Sequence, residues 1–144
     1  MRLNLLKDAK IVKAFNGAGA GTSTQTSNTI DVSGFDSVLV LADLGAVVDT
    51  SALVLALQDG ALANGSDAAN ISGANCSLTG NSSNNVQLAL DVQLPQSRYV
   101  TATLARGTAN ATINSITMIL YNAKSKPVTQ PSTIAGSNEV EAAS

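Results

Sequence analysis

The chain carries carboxylates and hydroxyls in quantity but nothing placed to activate them. Its middle region holds Asp31, Asp36, Asp43, Asp49, Asp59, Asp67 and Asp91, and no histidine occurs anywhere. General acid–base catalysis needs two carboxylates in contrasting environments, one keeping its proton and one losing it. Each of these aspartates instead stands beside a turn or on the polar side of an alternating run, where its side chain serves nearby backbone amides. Asp59 and Asp67 flank a loop containing glycine and asparagine that would suit calcium, but no EF-hand or nonapeptide pattern surrounds them. The serines and threonines lack a histidine base and a Ser-x-x-Lys arrangement. No catalytic, cofactor-binding or metal-ligating residue is assigned, no cofactor is expected, and the chain does not read as an enzyme.

The remaining motifs point away from ligands. The tract GAGAG at Gly17–Gly21 has the glycines of a phosphate loop, but no Lys-Ser/Thr follows it and no helical pattern opens after it. It reads as a flexible linker. Cys76 is the only cysteine, which excludes an internal disulfide and a CxxC metal site and leaves a small, buried or half-buried residue. Sequons at Asn64, Asn70, Asn75, Asn81 and Asn110 follow from an abundance of Asn, Ser and Thr. Sugar-stacking platforms would have to come from Phe15, Phe35, Tyr99 and Tyr121, since there is no tryptophan.

Strands must position whatever function exists. In "VQLALDVQL", Val86, Leu88, Leu90, Val92 and Leu94 point one way and Gln87, Ala89, Asp91 and Gln93 the other. Pro95 ends that run, because it has no N–H to give a ladder. "RYVTATLA" then turns Val100, Ala102 and Leu104 inward, and "TINSITMILYN" does the same with Ile116, Met118 and Leu120. Earlier, Ile30 and Val32 alternate, and Leu53, Leu55 and Leu57 share a face before an Asp-Gly turn. "DSVLVLADLG" is a nearly continuous apolar run, as expected of a strand covered on both sides. "DAANISGANCSLTGNSSNN" holds one or two short strands among turns, and no segment has a helical period longer than a turn. The fold class is all-β: a jelly-roll-like β-sandwich of about eight strands with extended N- and C-terminal arms.

Texture divides the 144 residues into three: 1–27, a basic arm and Gly/Ala/Ser/Thr-rich linker; 28–123, the sandwich domain; and 124–144, an extended tail with two prolines and no period. The net charge of −2 favours neither nucleic acid nor an acidic substrate. Its distribution is uneven, with Arg2, Lys7, Lys10 and Lys13 against Asp8 at the start and an acidic body beyond. Such an arm is expected on a neighbouring acidic surface. No apolar run approaches the roughly 20 residues of a membrane span, and the start lacks the apolar stretch of a secretion signal, so cytoplasmic synthesis is expected. With only two Phe, two Tyr and no Trp, the core is one of small aliphatics, which leaves scope for a partner subunit to add stability.

Three stretches, "GFDSVLVLADLGAVVDTSALVLALQDG", "NNVQLAL" and "SRYVTATLARGTANATINSITMILYNAKSKPV", together resemble a family of small tailed-bacteriophage structural proteins. The features are a strand–LG–strand–LQ–DG opening, an Arg-Tyr-Val strand, an Ala/Val-rich strand after it, and a basic residue near a Pro-Val exit. The likeness spans roughly residues 30–128, and the loop "DGALANGSDAAN" departs from it by lacking an aromatic. The family is that of capsid cement (decoration) proteins, similar to the jelly-roll type on a Bordetella short-tailed phage. The resemblance implies a virion protein, made in the host bacterial cytoplasm, that binds the outer surface of an HK97-like capsid and bridges capsomers against internal DNA pressure. The implied partners are the major capsid protein and a second copy of the chain, as a homodimer, with no nucleic acid and no membrane. Arg2, Lys7, Lys10, Lys13, Lys124 and Lys126 are the expected capsid contacts, and deleting residues 1–13 is expected to abolish binding while leaving the β-body folded. A host-attachment or glycan-binding module and a minor head–tail subunit are the alternatives. Arg98 is read as the start of a strand, and Tyr99 as packing at a sheet edge.

Overall fold

The computed structural model describes residues 4–48, 51–79 and 84–142. A single-turn helix, α1 (Leu5–Asp8), precedes ten strand segments. These are β1 (Lys10–Phe15), β2 (Ala18–Gly21), β3 (Gln25–Thr26), β4 (Ile30–Asp31), β5 (Phe35–Val47), β6 (Ala52–Gly60), β7 (Ala69–Thr79), β8 (Gln87–Gln93), β9 (Tyr99–Ala105) and β10 (Ala111–Ala123). One antiparallel sheet runs β1–β10–β5–β8, with β2 also on β10; the other runs β3–β9–β6–β7, with β4 also on β9. Taking β1/β2 and β3/β4 as two interrupted rungs leaves eight. In chain order the sheets are then first–eighth–third–sixth and second–seventh–fourth–fifth, the arrangement of a jelly roll.

Period-two patterning builds the core between the sheets. Val38, Val40, Ala42 and Leu44 on β5 face Leu53, Leu55 and Leu57 on β6, and all are buried. Val100, Ala102 and Leu104 on β9 and Ile116, Met118 and Leu120 on β10 are fully covered, as their alternation requires. Phe15 and Phe35 only flank this core, so it consists of aliphatics worth about 1.5–3 kcal/mol each when fully buried. Cys76 is half-buried and free.

The structure departs from the sequence expectations in four places. Residues 10–21 are not a linker, because β1 and β2 both pair with β10 and form one margin of the sheet. Deleting residues 1–13 would therefore remove four residues of β1 along with the arm. The stretch after Asp67 forms one long strand, the 11-residue β7, rather than one or two short ones. Leu94 does not complete its run inward: its φ is +52°, and the residue is 70% exposed. Its N–H bonds the Asp36 carbonyl, which turns the chain out ahead of Pro95. Tyr99 lies at the end of β9, an interior strand flanked by β4 and β6, and not at a sheet edge.

Two interior polar groups hold the interrupted rungs. Ser27, between β3 and β4, accepts the Ala102 N–H on its hydroxyl at 2.9 Å and donates its own N–H to the Ala102 carbonyl. Next to it, the Asn28 N–H reaches the Ala14 carbonyl and ties the two sheets at that corner. Arg106, just past β9, is 3% exposed. Its guanidinium donates to the carbonyls of Gly19 and Ser23 at 2.7 Å and of Ala111 at 2.8 Å, and to the Ser23 hydroxyl at 3.1 Å.

Candidate functional site

The N- and C-terminal segments meet at one end of the sandwich, and a single side chain joins them. Gln130 accepts the Ile11 N–H at 2.9 Å and donates to the Leu6 and Ala9 carbonyls at 2.6 Å each. A carboxamide can do this because it carries donor and acceptor side by side. Ile11 lies on the outer margin of β1, so Gln130 also closes part of an open sheet edge. Nearby, the Val128 N–H bonds the Lys7 carbonyl. The tail is extended but laid along the start of its own chain.

This end gathers cations. Lys7 pairs with Glu139 at 3.2 Å, Lys124 with Asp36 at 3.9 Å, and Lys126 with Asp8. Lys10 and Lys124 line a cavity of about 310 Å³ with Phe35, Pro127, Val128 and Thr129. Arg98 borders a neighbouring cavity that Lys124 shares. Of the expected contact residues, the structure therefore brings Lys7, Lys10, Lys124 and Lys126 together. Lys13 stands apart, exposed and cross-strand from Thr117, and Arg2 lies outside the described residues. Three of the four gathered lysines already face a carboxylate of their own chain. Among the described residues Lys10 has no such partner within 4 Å, which makes it the freest charge at this end.

Arg98 marks the start of β9 as expected, and it has a second use that the sequence did not reveal. Its Nε and Nη2 donate to the two Asp31 oxygens at 3.1 and 2.9 Å, which fixes β4 against β9. The guanidinium holds the Asp31 carboxyl at about 2, well below its ordinary 3.8, with help from the Ser33 amide. A folded value below the unfolded one means the pair's contribution is complete above about pH 4 and is lost as pH falls through about 2. The side chains are 58% and 41% exposed, so the contribution is that of a surface pair, about 0.5–1 kcal/mol. Asp31→Asn should cost that much at pH 7 in urea unfolding, and the gap to wild type should close near pH 2. A gap that persists there would mean that the bridge is not its source.

Asp31, Asp59 and Asp67 accept backbone amides as the turn chemistry predicts, whereas Asp36 and Asp91 face side chains and Asp49 lies outside the described residues. Asp67 accepts the Ala61 and Leu62 amides, which hold its carboxyl below the ordinary value. Asp59 turns the other way, to the amides of Gln96 and Ser97. The two carboxylates are committed to separate loops and do not converge on a common centre. Among the described residues no three His, Cys, Asp or Glu side chains cluster as metal ligands would, and no helix is long and apolar enough to cross a membrane.

The fold and the joined termini define a jelly-roll β-sandwich with one tied end. No protein-family model matches the chain, and no curated protein matches it. Among solved structures it is similar to the PBSX exported protein XepA, with a TM-score of 0.54 at 16% identity over 99% of this chain; the match spans 46% of XepA's own length. The SPBc2 prophage-derived protein YomS gives a TM-score of 0.49 at 14% identity, covering 83% of this chain and 97% of that one. A chain from Bacillus endospore appendages, described as disulfide-linked pili, gives 0.47 at 13%, covering 86% and 98%. At these identities the likeness to XepA is one of fold.

Proposed function

We propose that this chain is a non-enzymatic virion structural protein. In this reading it binds the outer surface of an HK97-like phage capsid through its tied end and cements neighbouring capsomers against internal pressure. The observation that carries the reading is the junction at Gln130. The basic start of the chain and the segment after residue 123, which hold the expected contacts and lie far apart in the sequence, come together at one end of the sandwich with Lys7, Lys10, Lys124 and Lys126. Cement needs adhesive area repeated over a lattice, where individually weak contacts add through multivalency. An acidic shell surface would take up the free charge of Lys10 and compete for lysines held only by exposed pairs.

Two measurements test this. Quantitative mass spectrometry of gradient-purified virions should find a copy number close to that of the major capsid protein, or a simple fraction of it. A handful of copies per particle would move the protein to the tail or a vertex. The double reversal Lys10→Glu/Lys124→Glu should weaken binding to undecorated shells by about tenfold or more at low salt, with the loss shrinking as salt is raised. Undiminished binding would mean that the tied end is not the contact.

A further inference from the structure

The tail lies against β1 as an imperfect extra strand. The Val128 N–H bonds the Lys7 carbonyl, and Gln130, two residues on, bonds the Ala9 carbonyl and the Ile11 N–H. In a parallel ladder each residue donates to the carbonyl just before its partner and accepts from the amide just after it. Val128 therefore stands opposite Asp8, and Gln130 opposite Lys10, in one continuous parallel register. At Gln130, however, a side-chain carboxamide makes the two bonds that the main chain of a true strand would make. Pro131 follows it and has no N–H to carry a ladder on. The next outward amide on β1, two residues past Ile11, is that of Lys13. Among the described residues the tail gives it no main-chain bond.

Little else holds the tail down. From residue 124 to 142 no residue is buried, and only Val128, Gln130, Pro131 and Ile134 are half-buried. α1, whose Leu6 and Lys7 carbonyls the tail engages, buries none of its residues either. Segments with so few buried contacts open locally, far below the free energy of global unfolding. The edge beneath is a template for another chain, and its charge says which kind. Lys7, Lys10 and Lys13 recur at every third residue along it. The tail answers only the first, through Glu139 at 3.2 Å. Lys10 and Lys13 have no carboxylate partner among the described residues. Residues 127–142 carry Glu139 and Glu141 and no cation, so the present occupant is itself extended and acidic. A segment with carboxylates in register, and main chain in place of the Gln130 side chain, would satisfy more of the same edge.

We propose that residues 7–13 form a strand-docking site, plugged in the free protein by the chain's own tail and taken over by an extended acidic segment of a protein partner. The proposal rests on the tied end being the contact, and it names what binds there: a strand added in parallel to β1. The test uses the full-length chain with a blocked, labelled peptide of residues 127–142 as probe, so this arm needs no capsid. Gln130→Ala should unseat the tail, speeding exchange of the Ile11 amide by about tenfold or more while amides of β5 and β6 keep their rates. It should then bind the peptide about tenfold or more tightly than wild type does, because the plug no longer competes. Bound peptide should restore Ile11 protection, and N-methylation at Val128 should weaken the peptide by about tenfold or more, since the ladder bond to Lys7 is lost. Glu139→Lys, which reverses the bridge to Lys7, replaces Gln130→Ala if circular dichroism shows that the latter does not fold. Unchanged Ile11 exchange, equal peptide affinity in the two proteins, or undiminished binding of the methylated peptide would each overturn the site. In a second arm, Gln130→Ala should bind undecorated shells about threefold or more tightly than wild type. Weaker binding would make the tail an adhesive and not a plug, and would overturn the proposal. Self-association of Gln130→Ala would give the edge to a second copy's tail and overturn the partner. If neither protein binds shells while the peptide results hold, the capsid reading falls and the docking site stands.

Discussion

Replacing Arg106 with methionine should destabilise the fold by about 3 kcal/mol, the largest effect expected of any polar residue in the chain. The guanidinium is almost fully buried and makes four hydrogen bonds, three of them to backbone carbonyls at 2.7–2.8 Å. Hydrogen bonds that involve a charged group contribute about 1.5–3 kcal/mol each in gross terms, partly offset by the cost of taking the charge from water. Methionine would fill much of the volume and strand three carbonyls. Lysine should rescue little, because a point charge on a flexible stem cannot address Gly19, Ser23 and Ala111 at once as a planar fork does. Urea unfolding measures the loss, and hydrogen exchange localises it: amides of residues 18–26 should exchange faster than those of β5 or β6 in Arg106→Met. A cost below about 1 kcal/mol would mean that water can replace the guanidinium and that the corner holds by itself.

Arg106 also shows where the sequence falls silent. In "LARGTAN" it looks like an ordinary charged residue opening a turn, and nothing in its neighbours along the chain signals that it will be buried. Its partners lie 83 and 87 residues away at Ser23 and Gly19, so only the closed sandwich brings the three together. Gln130 is the same case, a polar residue in a featureless tail whose role depends on backbone groups about 120 residues earlier. The core was legible for the opposite reason. Alternation is a local record of which face a strand buries, and Leu53, Leu55, Leu57, Val100, Ala102 and Leu104 sit where their spacing places them. Rung order has no such local record, and the Greek-key returns appear only in the pairing. Of the candidate contacts, five lysines could be named from charge and position, but the meeting of four of them at one end and the pairing of three with Asp8, Asp36 and Glu139 are tertiary facts.

The tract Gly17–Gly21 offers the sharpest separation between a linker and a structural element. A linker would accept alanine at either of its first two glycines with little change, or with a slight gain as the unfolded chain loses freedom. In the sandwich the two positions differ. Gly17 has φ +121°, a region closed to residues with a Cβ. A methyl group there would lie 2.5 Å from the Asn114 carbonyl oxygen and 2.9 Å from that of Ile113, both main-chain atoms of β10 that cannot swing aside. Gly19 has an ordinary φ, and nothing lies within 4 Å of the position a Cβ would take. Gly17→Ala should therefore cost about 2–3 kcal/mol, while Gly19→Ala should be neutral or stabilising by a few tenths. The strain is also specific in place. It pushes β2 off β10 and loosens the carbonyls that Arg106 holds, so Gly17→Ala and Arg106→Met should be less than additive in a double-mutant cycle. Equal tolerance at the two glycines would return residues 17–21 to the status of a linker. Unequal cost with full additivity would keep the strand but separate it from the arginine.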